Sequence, residues 1–271
     1  MIVWCASYPK SGNTWVKAII ASLLYSEDGI FNFEMLKKIG QFPVKKQFKD
    51  YIEDYSNLKK ISEHWIKAQE KINSDGKLRI FKTHSGNYNF FGSNFTNKEN
   101  TVGVIYIVRD PRNMISSIAN HYQHSIKESV DFLLDERKLL FVTNSNNPNY
   151  ESEKNVVNLL GSWKDHYNSW KISSNIIIIR YEDLIVDTKN QIIKLIEFLK
   201  KFGDFDINKK QSLKLERLYI KADASLIGNI EVNNATIAGK FEGDLIVREA
   251  LYLENNAVVK GKIFYKSLRI T

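Results

Sequence analysis

The sequence predicts two parts of different fold class: a parallel sheet flanked by helices over residues 1–210, and a small all-β module over residues 211–271. In the first part, short apolar stretches alternate with segments of helix length, which is the pattern of an α/β domain with right-handed crossovers. The run Val102–Arg109 is almost continuously apolar, as is typical of a central parallel strand buried on both faces. After Leu213 the helical period stops, and short β-prone pieces replace it.

The same patterns predict the elements of the first part in chain order. Strands are predicted at Met1–Ser7, Leu78–Thr83, Val102–Arg109 and Ile176–Tyr181. The last of these is, like Val102–Arg109, expected to be buried. Helical spacing predicts helices at Thr14–Tyr25, at two or three surface positions within 34–72, and at Arg112 to about Ser125, about Lys127 to Phe141, Val156–Trp170 and Thr188–Phe202. Gly203 follows the last helix at its C-cap, and the Gly- and Asn-rich stretch 86–100 predicts a loop.

Three similar phrases recur in the second part, beginning at Gly228, Gly243 and Gly261. Their glycines are 15 and then 18 residues apart. Repeats of this kind are typical of a β-solenoid, in which each coil buries its apolar face only against its neighbours. A small antiparallel β-subdomain is the alternative that the same turn residues allow.

Composition excludes several classes of protein. Cys5 is the only cysteine, which excludes an intramolecular disulfide framework and a cysteine-based zinc site and fits a reducing compartment. No apolar run approaches the ~20 residues of a membrane span, and no signal-peptide pattern opens the sequence, so we expect a soluble, cytoplasmic protein. The net charge of +8 indicates an anionic partner: nucleic acid, a membrane surface or a phosphorylated small molecule.

The strongest motif is the segment from Ser7 to Trp15, with the sequence SYPKSGNTW. A strand ends, Pro and Gly shape a tight loop, and a helix begins, so backbone N–H groups and the helix dipole favour an anion there. Lys10, Ser11, Asn13 and Thr14 add a charge and further donors. The order of Lys and Gly differs from a Walker A motif. The structural alternative is an ordinary strand–turn–helix unit with a threonine cap.

Three further motifs also follow predicted strands, where ligands bind in open α/β sheets. Arg109 and Arg112 offer cationic donors suited to phosphate, and Ser117 could add a hydroxyl about two turns later. His84, in Lys82-Thr83-His84, is a candidate general base. Tyr181 could line the base of a nucleotide. The alternatives are an arginine paired with Asp110 or another acid, a capping histidine, and a tyrosine at the edge of the core.

Together these motifs resemble those of PAPS-dependent sulfotransferases, in the same order and over about residues 1–205. Tyr8 to Trp15 is similar to the 5′-phosphosulfate loop of that family. Arg109 with Ser117 is similar to its 3′-phosphate motif, Lys82-Thr83-His84 to its catalytic-histidine segment, and Tyr181-Glu182-Asp183 to its adenine-contacting segment.

The resemblance implies a P-loop-like α/β fold and transfer of a sulfuryl group from 3′-phosphoadenylyl sulfate (PAPS) to an acceptor hydroxyl or amine. It implies His84 as general base, with Lys10 and Lys82 as the other catalytic residues. The implied donor site is Lys10, Ser11, Gly12, Asn13, Thr14, Trp15, Arg109, Ser117 and Tyr181. No metal is implied, no metal-ligand cluster is visible in the sequence, and we expect no nucleic-acid partner.

The C-terminal part departs from that family. No late Arg/Lys-Gly segment of the 3′-phosphate site follows Gly203, and Lys260-Gly261-Lys262 falls inside the repeats. About residues 213–271 instead resemble bactofilins, bacterial cytoskeletal proteins with a right-handed β-helix core that assemble end to end. This resemblance implies self-assembly through the solenoid.

Three hypotheses about the function of this protein therefore stay open. The first is an active sulfotransferase with an assembly module. The second is a degenerate sulfotransferase-like protein that acts as a bactofilin-type scaffold, and the third is a P-loop nucleotide kinase, against which the absent Walker A order counts. The acceptor could be a small molecule, a glycan, a lipid or a peptide tyrosine, and peripheral membrane association is compatible with the charge.

Overall fold

The computed structural model describes residues 1–26, 31–140, 156–203, 217–222, 224–227 and 230–270. The predicted domain boundary at residue 210, Gly228 of the first repeat, and Phe141 at the predicted end of a helix lie outside these ranges. The chain divides into two compact units, residues 1–17 with 36–181 and residues 18–35 with 182–271.

The strands of the described residues are β1 (Ile2–Ser7), β2 (Gly40–Gln41), β3 (Arg79–Thr83), β4 (Asn89–Phe90), β5 (Ser93–Asn94), β6 (Thr101–Val108), β7 (Leu139–Leu140), β8 (Asn158–Leu159), β9 (Ile176–Arg180), β10 (Arg217–Ile220), β11 (Ser225–Ile227), β12 (Ile230–Ile237), β13 (Lys240–Glu242), β14 (Leu245–Leu253), β15 (Val258–Lys260) and β16 (Ile263–Ile270). The α-helices are α1 (Asn13–Tyr25), α2 (Leu58–Ser62), α3 (Trp65–Asn73), α4 (Pro111–Tyr122), α5 (Ile126–Leu134), α6 (Trp163–Lys171), α7 (Tyr181–Val186) and α8 (Thr188–Lys200). Two 3₁₀ helices span Phe33–Lys38 and Lys45–Gln47.

A five-stranded parallel sheet organises the first unit, in the order β2-β3-β1-β6-β9. Every residue of β1 is buried because the strand lies at the centre of the sheet, in agreement with its apolar residues from Ile2 to Ala6. Cys5 pairs with Lys82 of β3 on one side and with Ile105 of β6 on the other. The predicted parallel α/β sheet is therefore confirmed, and the carboxyl ends of β3, β1 and β6 lie next to one another.

Aromatic residues fill the core on one face of this sheet. Trp4 packs against Phe42, Phe95 and Trp170 at ring-centroid distances of 5.5, 5.4 and 6.2 Å. Trp65 is also fully buried in this cluster. The prediction of surface helices within 34–72 is thus wrong in part, because α3 and the segment before it contribute large side chains to the core. The many lysines of 34–72 indicate a surface segment, but large apolar residues between them pack into the core.

Two predicted helices also differ from the structure. The helix expected from Lys127 to Phe141 ends at Leu134, and Leu139–Leu140 forms β7. The helix expected from Val156 begins only at Trp163, because Gly161 has a φ of +67° and the Ser162 hydroxyl accepts a cap hydrogen bond from the N–H of Asp165. The residues before Gly161 pair with β7 as the antiparallel strand β8.

The last strand of the sheet, β9, is less buried than its run of isoleucines suggests. Only Ile179 is buried, since β9 has a hydrogen-bonded neighbour on one side only among the described strands. Tyr181 is the first residue of α7 and not the end of the strand. The predicted loop 86–100 contains a short antiparallel hairpin made of β4 and β5.

The C-terminal part forms two parallel sheets, β10-β12-β14-β16 and β11-β13-β15, between which the chain alternates as coils of a solenoid do. The recurring phrases lie in register, because Ile230 pairs with Leu245 and Leu245 with Ile263. The parallel pairing excludes the antiparallel alternative for these strands. The right-handed sense of the coil stays a prediction.

Close stacking of neighbouring parallel strands explains two of the recurring glycines, Gly243 and Gly261. A Cβ on Gly261 would lie 2.0 Å from the carbonyl oxygen of Gly243, and both residues have φ values near +130°. Phe241, 1% exposed, lies in the apolar interior with Val232 and Leu251. No helix among the described residues of the chain has the length and apolar character needed to cross a bilayer.

Candidate active site

The loop between β1 and α1 has the geometry of an anion site. Lys10 and Gly12 adopt positive φ values of 67° and 94°, which turn the chain sharply before the helix. The N–H groups of Trp15 and Val16 donate to the carbonyl of Gly12 at 3.0 and 3.3 Å. The N–H groups that precede them, at the positive end of the helix dipole, have no partner within the helix. They are therefore suited to a phosphate.

The side chains of this loop differ in what they can offer. The amide of Asn13 donates to the carbonyl of Cys5 at 3.2 Å and to the hydroxyl of Ser7 at 3.0 Å, so it anchors the loop to β1. Ser11 is buried, and its hydroxyl lies 3.8 Å from the sulfur of Met114. Thr14 is exposed. Asn13 can thus reach a ligand through its backbone N–H, whereas the hydroxyl of Thr14 is accessible.

Arg109 joins this loop to Tyr181. Its Nη1 donates to the carbonyl of Lys10 at 3.1 Å, and its guanidinium lies 4.3 Å from the centre of the Tyr181 ring. The Tyr181 ring meets Trp15 edge to face at 5.9 Å. A Cβ on Gly12 would come within 2.4 Å of Tyr181, so only glycine lets this ring approach. The Nε atom of Arg109 is buried without a hydrogen-bond partner among the described residues.

The other residues of the second motif are placed differently. Arg112 forms an ion pair with Asp110 through its Nη2 and Nε atoms, and its side chain is 86% exposed. The alternative of an arginine paired with Asp110 therefore applies to Arg112 and not to Arg109. Ser117 lies on the second turn of α4, partly buried, and forms no hydrogen bond with the other described site residues.

His84 follows β3 and has a defined tautomer. Its Nδ1 lies 2.7 Å from the carbonyl oxygen of Ser7, which can only accept, so Nδ1 carries the hydrogen and Nε2 keeps its lone pair. Burial lowers the pKa of His84 well below its ordinary value, and Lys82 adds to this, while the bond to Ser7 opposes it. A neutral imidazole with a free Nε2 is suited to accept a proton.

Two lysines complete the cationic side of the site. Burial lowers the pKa of Lys82 to about 8, and the nearby charge of Lys17 contributes to the shift. Burial, followed by the charge of Arg109, lowers the pKa of Lys10. Neither Lys10 nor Lys82 has an acidic partner among the described residues, so a bound anion would offset the repulsion of Lys10 by Arg109 and of Lys82 by Lys17.

Residues that the motifs did not indicate support the His84 segment. His166 and Trp170 of α6 contact the backbone carbonyls of His84 and Ser85. Their signal in the sequence was the spacing Trp163, His166, Trp170, which places all three side chains near one face of a helix. In the other unit, Gly261 of the Lys260-Gly261-Lys262 segment lies between β15 and β16, within the repeats.

Fold and loop together define an α/β protein with anion-binding geometry at the carboxyl ends of its strands. Residues 2–215 match the family model described as the sulfotransferase domain, so the chain belongs to the sulfotransferase domain family. Residues 206–271 match the bactofilin model, described as polymer-forming cytoskeletal. Both resemblances found in the sequence are confirmed by these matches.

Curated relatives agree with the first match. A 3-beta-hydroxysteroid sulfotransferase of Cavia porcellus is 26% identical over 204 residues, which cover 72% of this chain and 57% of that protein. An amine sulfotransferase of Oryctolagus cuniculus is 25% identical over 203 residues, which cover 73% and 56%. The chain thus spans little more than half the length of these relatives. A crystal structure of a mouse sulfotransferase complexed with PAP is 20% identical, with a TM-score of 0.43, and the match covers 73% of this chain and 57% of that one.

Proposed function

We propose that this protein transfers a sulfuryl group from PAPS to an acceptor hydroxyl or amine. The observation that carries the proposal is the convergence of three groups at the adjacent carboxyl ends of β1, β3 and β6. These groups are the loop from Lys10 to Thr14, the neutral imidazole of His84, and Arg109. Membership of the sulfotransferase domain family supports the same chemistry.

The residues present fit a doubly phosphorylated nucleotide. Lys10, Ser11, Gly12, Asn13 and Thr14 would hold the 5′-phosphate, for which the helix start offers N–H groups without a partner within the helix. Arg109 and Ser117 would hold the 3′-phosphate, and the buried Nε of Arg109 is available as a donor. Trp15 and Tyr181 would contact the adenine. The contact between Arg109 and Lys10 links the two proposed phosphate sites.

The proposed reaction needs one proton acceptor and a stabilised leaving group. Nε2 of His84 takes the proton of the acceptor hydroxyl while the acceptor oxygen forms a bond to sulfur. The bond between sulfur and the bridging oxygen breaks, and its electron pair stays on the 5′-phosphate of PAP. Lys10 stabilises that negative charge, and Lys82 stabilises charge on the transferred group. The proposal requires no metal.

Calorimetric titration with PAP tests the donor site directly. We expect the wild-type chain to bind PAP and Lys10→Ala to bind at least ~10-fold more weakly, since a charged contact to an anion contributes ~1.5–3 kcal/mol. Lys98→Ala is the matched control, because the Lys98 side chain is 92% exposed. Absence of PAP binding, or equal affinity of Lys10→Ala and the wild type, would overturn the proposal.

Transfer itself is tested with PAPS and a mixed panel of acceptors, with products identified by mass spectrometry. The panel includes small alcohols, amines, steroids, glycans, lipids and peptide tyrosines. A sulfated product that His84→Gln fails to form supports the proposed base. PAP binding without any sulfated product would leave a nucleotide-binding scaffold as the better description.

We propose further that residues 211–271 form a separate module through which copies of the chain assemble. The edge strand β16 exposes Phe264 and Ile270, at 60% and 71%. Exposed apolar side chains on a strand edge favour association with a second strand. Electron microscopy and sedimentation of the full chain should reveal oligomers that Phe264→Ser weakens, whereas Lys266→Ser on the same strand leaves them intact. A monomer at all concentrations would exclude this role.

A cytoplasmic location and an absence of nucleic-acid binding remain parts of the proposal.

A further inference from the structure

A continuous set of buried hydrogen bonds lies directly behind His84. The hydroxyl of Tyr106, on β6, lies 2.8 Å from Nδ1 of His166, on α6. The Nε2 atom of His166 lies 3.1 Å from the backbone carbonyl oxygen of His84. His166 is 0% exposed and Tyr106 1%, so water does not compete for these bonds.

Chemistry determines the direction of each bond. A carbonyl oxygen only accepts, so Nε2 of His166 donates to His84 and carries the ring hydrogen. Its Nδ1 is then an acceptor, and the hydroxyl of Tyr106 donates to it. Burial lowers the pKa of His166 to about 4, which keeps this ring neutral. Both ring nitrogens of His166 are therefore hydrogen-bonded, and only the tautomer with hydrogen on Nε2 satisfies both bonds.

A second side chain of α6 holds the next residue. The indole N–H of Trp170 donates to the carbonyl of Ser85 at 3.0 Å, and Trp170 is itself fully buried. His166 and Trp170 are four residues apart and so lie one above the other on the helix. The hydroxyl of Ser85 also donates to the Oδ1 atom of Asn158, at 3.0 Å. The backbone that carries His84 is thus bound to a rigid element and not to a loop.

The ring of His84 is fixed separately, by the bond from Nδ1 to the Ser7 carbonyl. That bond needs the His84 backbone close to β1, which the pairing of Thr83 with Ala6 provides, and His166 of α6 then holds the His84 carbonyl in place. We propose that His166, assisted by Trp170, is a positioning residue that sets the tautomer and orientation of His84. This inference rests on the proposed function of His84 as base, but its structural part can be measured without any activity.

Nuclear magnetic resonance of histidine-labelled protein tests the inference, because the chain has five histidines and their ring nitrogens can be assigned by substitution. We expect His84 of the wild type to show a single tautomer with hydrogen on Nδ1. In His166→Phe, which keeps a planar ring but removes both hydrogen bonds, we expect mixed or exchanging tautomers at His84. In His166→Gln the amide can still donate to the His84 carbonyl, so the wild-type signal should return.

Kinetics give the second readout. We expect kcat to fall ~10–100-fold in His166→Phe with KM for PAPS changed less than ~3-fold, since a misplacement of ~1 Å can cost ~100-fold. His166→Gln should recover most of that loss. PAP affinity should stay within about twofold in both variants, because among the described residues His166 meets the loop only at the ring of Tyr8, which is not one of the proposed donor-binding residues. His64→Gln is the control, since among the described residues the His64 ring contacts the carbonyl of Lys60 and the ring of Tyr51 and no proposed site residue.

The outcomes separate the two proposals. An unchanged tautomer of His84 in His166→Phe, or no recovery in His166→Gln, overturns the positioning role. Mixed tautomers in a protein that sulfates no acceptor uphold positioning and contradict the proposed function. If His166→Phe does not fold, Trp170→Phe replaces it, and an unaltered His84 signal there overturns the inference.

Discussion

Replacing Gly12 by alanine perturbs the centre of the proposed donor site in a way that the structure quantifies. A Cβ at this position would lie 2.4 Å from Cδ2 and 2.8 Å from Cε2 of Tyr181. The ring cannot move freely, because it stacks on Arg109 at 4.3 Å and meets Trp15 at 5.9 Å. Alanine must therefore strain a backbone with a φ of +94° and also displace Tyr181.

Both effects have known sizes. A residue other than glycine in a left-handed conformation costs ~1–2 kcal/mol. Displacing Tyr181 weakens a cation–π contact of ~0.5–1 kcal/mol and an aromatic pair of ~0.5–1.5 kcal/mol. The free energy of unfolding should thus fall by ~2–4 kcal/mol. Gly76 is the matched control, since its φ is +70° and a Cβ there meets nothing within 4 Å.

Urea unfolding and calorimetric titration with PAP measure the two consequences. We expect Gly12→Ala to lose ~1–2 kcal/mol more stability than Gly76→Ala, the excess being the displaced Tyr181 contacts. PAP affinity should fall at least ~10-fold in Gly12→Ala and stay unchanged in Gly76→Ala. Equal destabilisation of the two variants with unchanged PAP affinity would refute the argument that Tyr181 is held against Gly12.

Three other predictions concern charge and packing. Arg109→Lys should weaken PAP binding ~5–30-fold, because lysine lacks the planar contact to Tyr181, whereas Arg112→Lys should bind PAP like the wild type. Lys82→Met should be more stable than the wild type at pH 7, and this advantage should shrink in thermal melts as pH rises from about 8 toward 10.5, since between these values the unfolded chain binds the Lys82 proton more tightly than the folded chain does. Phe241→Ala should cost ~3–5 kcal/mol in urea unfolding, whereas Phe264→Ala, at a 60% exposed position, should cost little. Equal effects of paired variants, or a constant advantage of Lys82→Met across pH, would contradict these arguments.

Much of the fold could be predicted because burial leaves a local mark on the sequence. The strands β1 and β6 begin and end within one residue of the predicted strands, since both faces of a central parallel strand must be apolar. The coils of the C-terminal part could be predicted because stacked coils repeat one phrase. Gly243 and Gly261 stack so closely that a Cβ on Gly261 would have no room beside the Gly243 carbonyl.

The errors arose where a long-range contact outweighed the local pattern. Residues 156–160 belong to a predicted helix, but Gly161 interrupts that helix, and Asn158 and Leu159 pair with β7. The local pattern around Phe42 and Trp65 predicts surface helices, yet both side chains belong to the aromatic core around Trp4. Such choices depend on partners distant in sequence, which a window of neighbouring residues does not contain.

The sequence by itself determined which residue types stand at the ends of which strands, because a strand–turn–helix unit is local and its Lys, Gly and His have fixed neighbours. It therefore determined the α/β class, the repeated tail and the proposed site residues. Only the tertiary structure decided what each side chain does: Asn13 turns back to β1, Arg109 stacks on Tyr181, and His166 reaches the carbonyl of His84. The physical reason is that hydrogen bonds and ring contacts depend on distances of a few ångströms between elements far apart in the chain, and folding alone sets those distances.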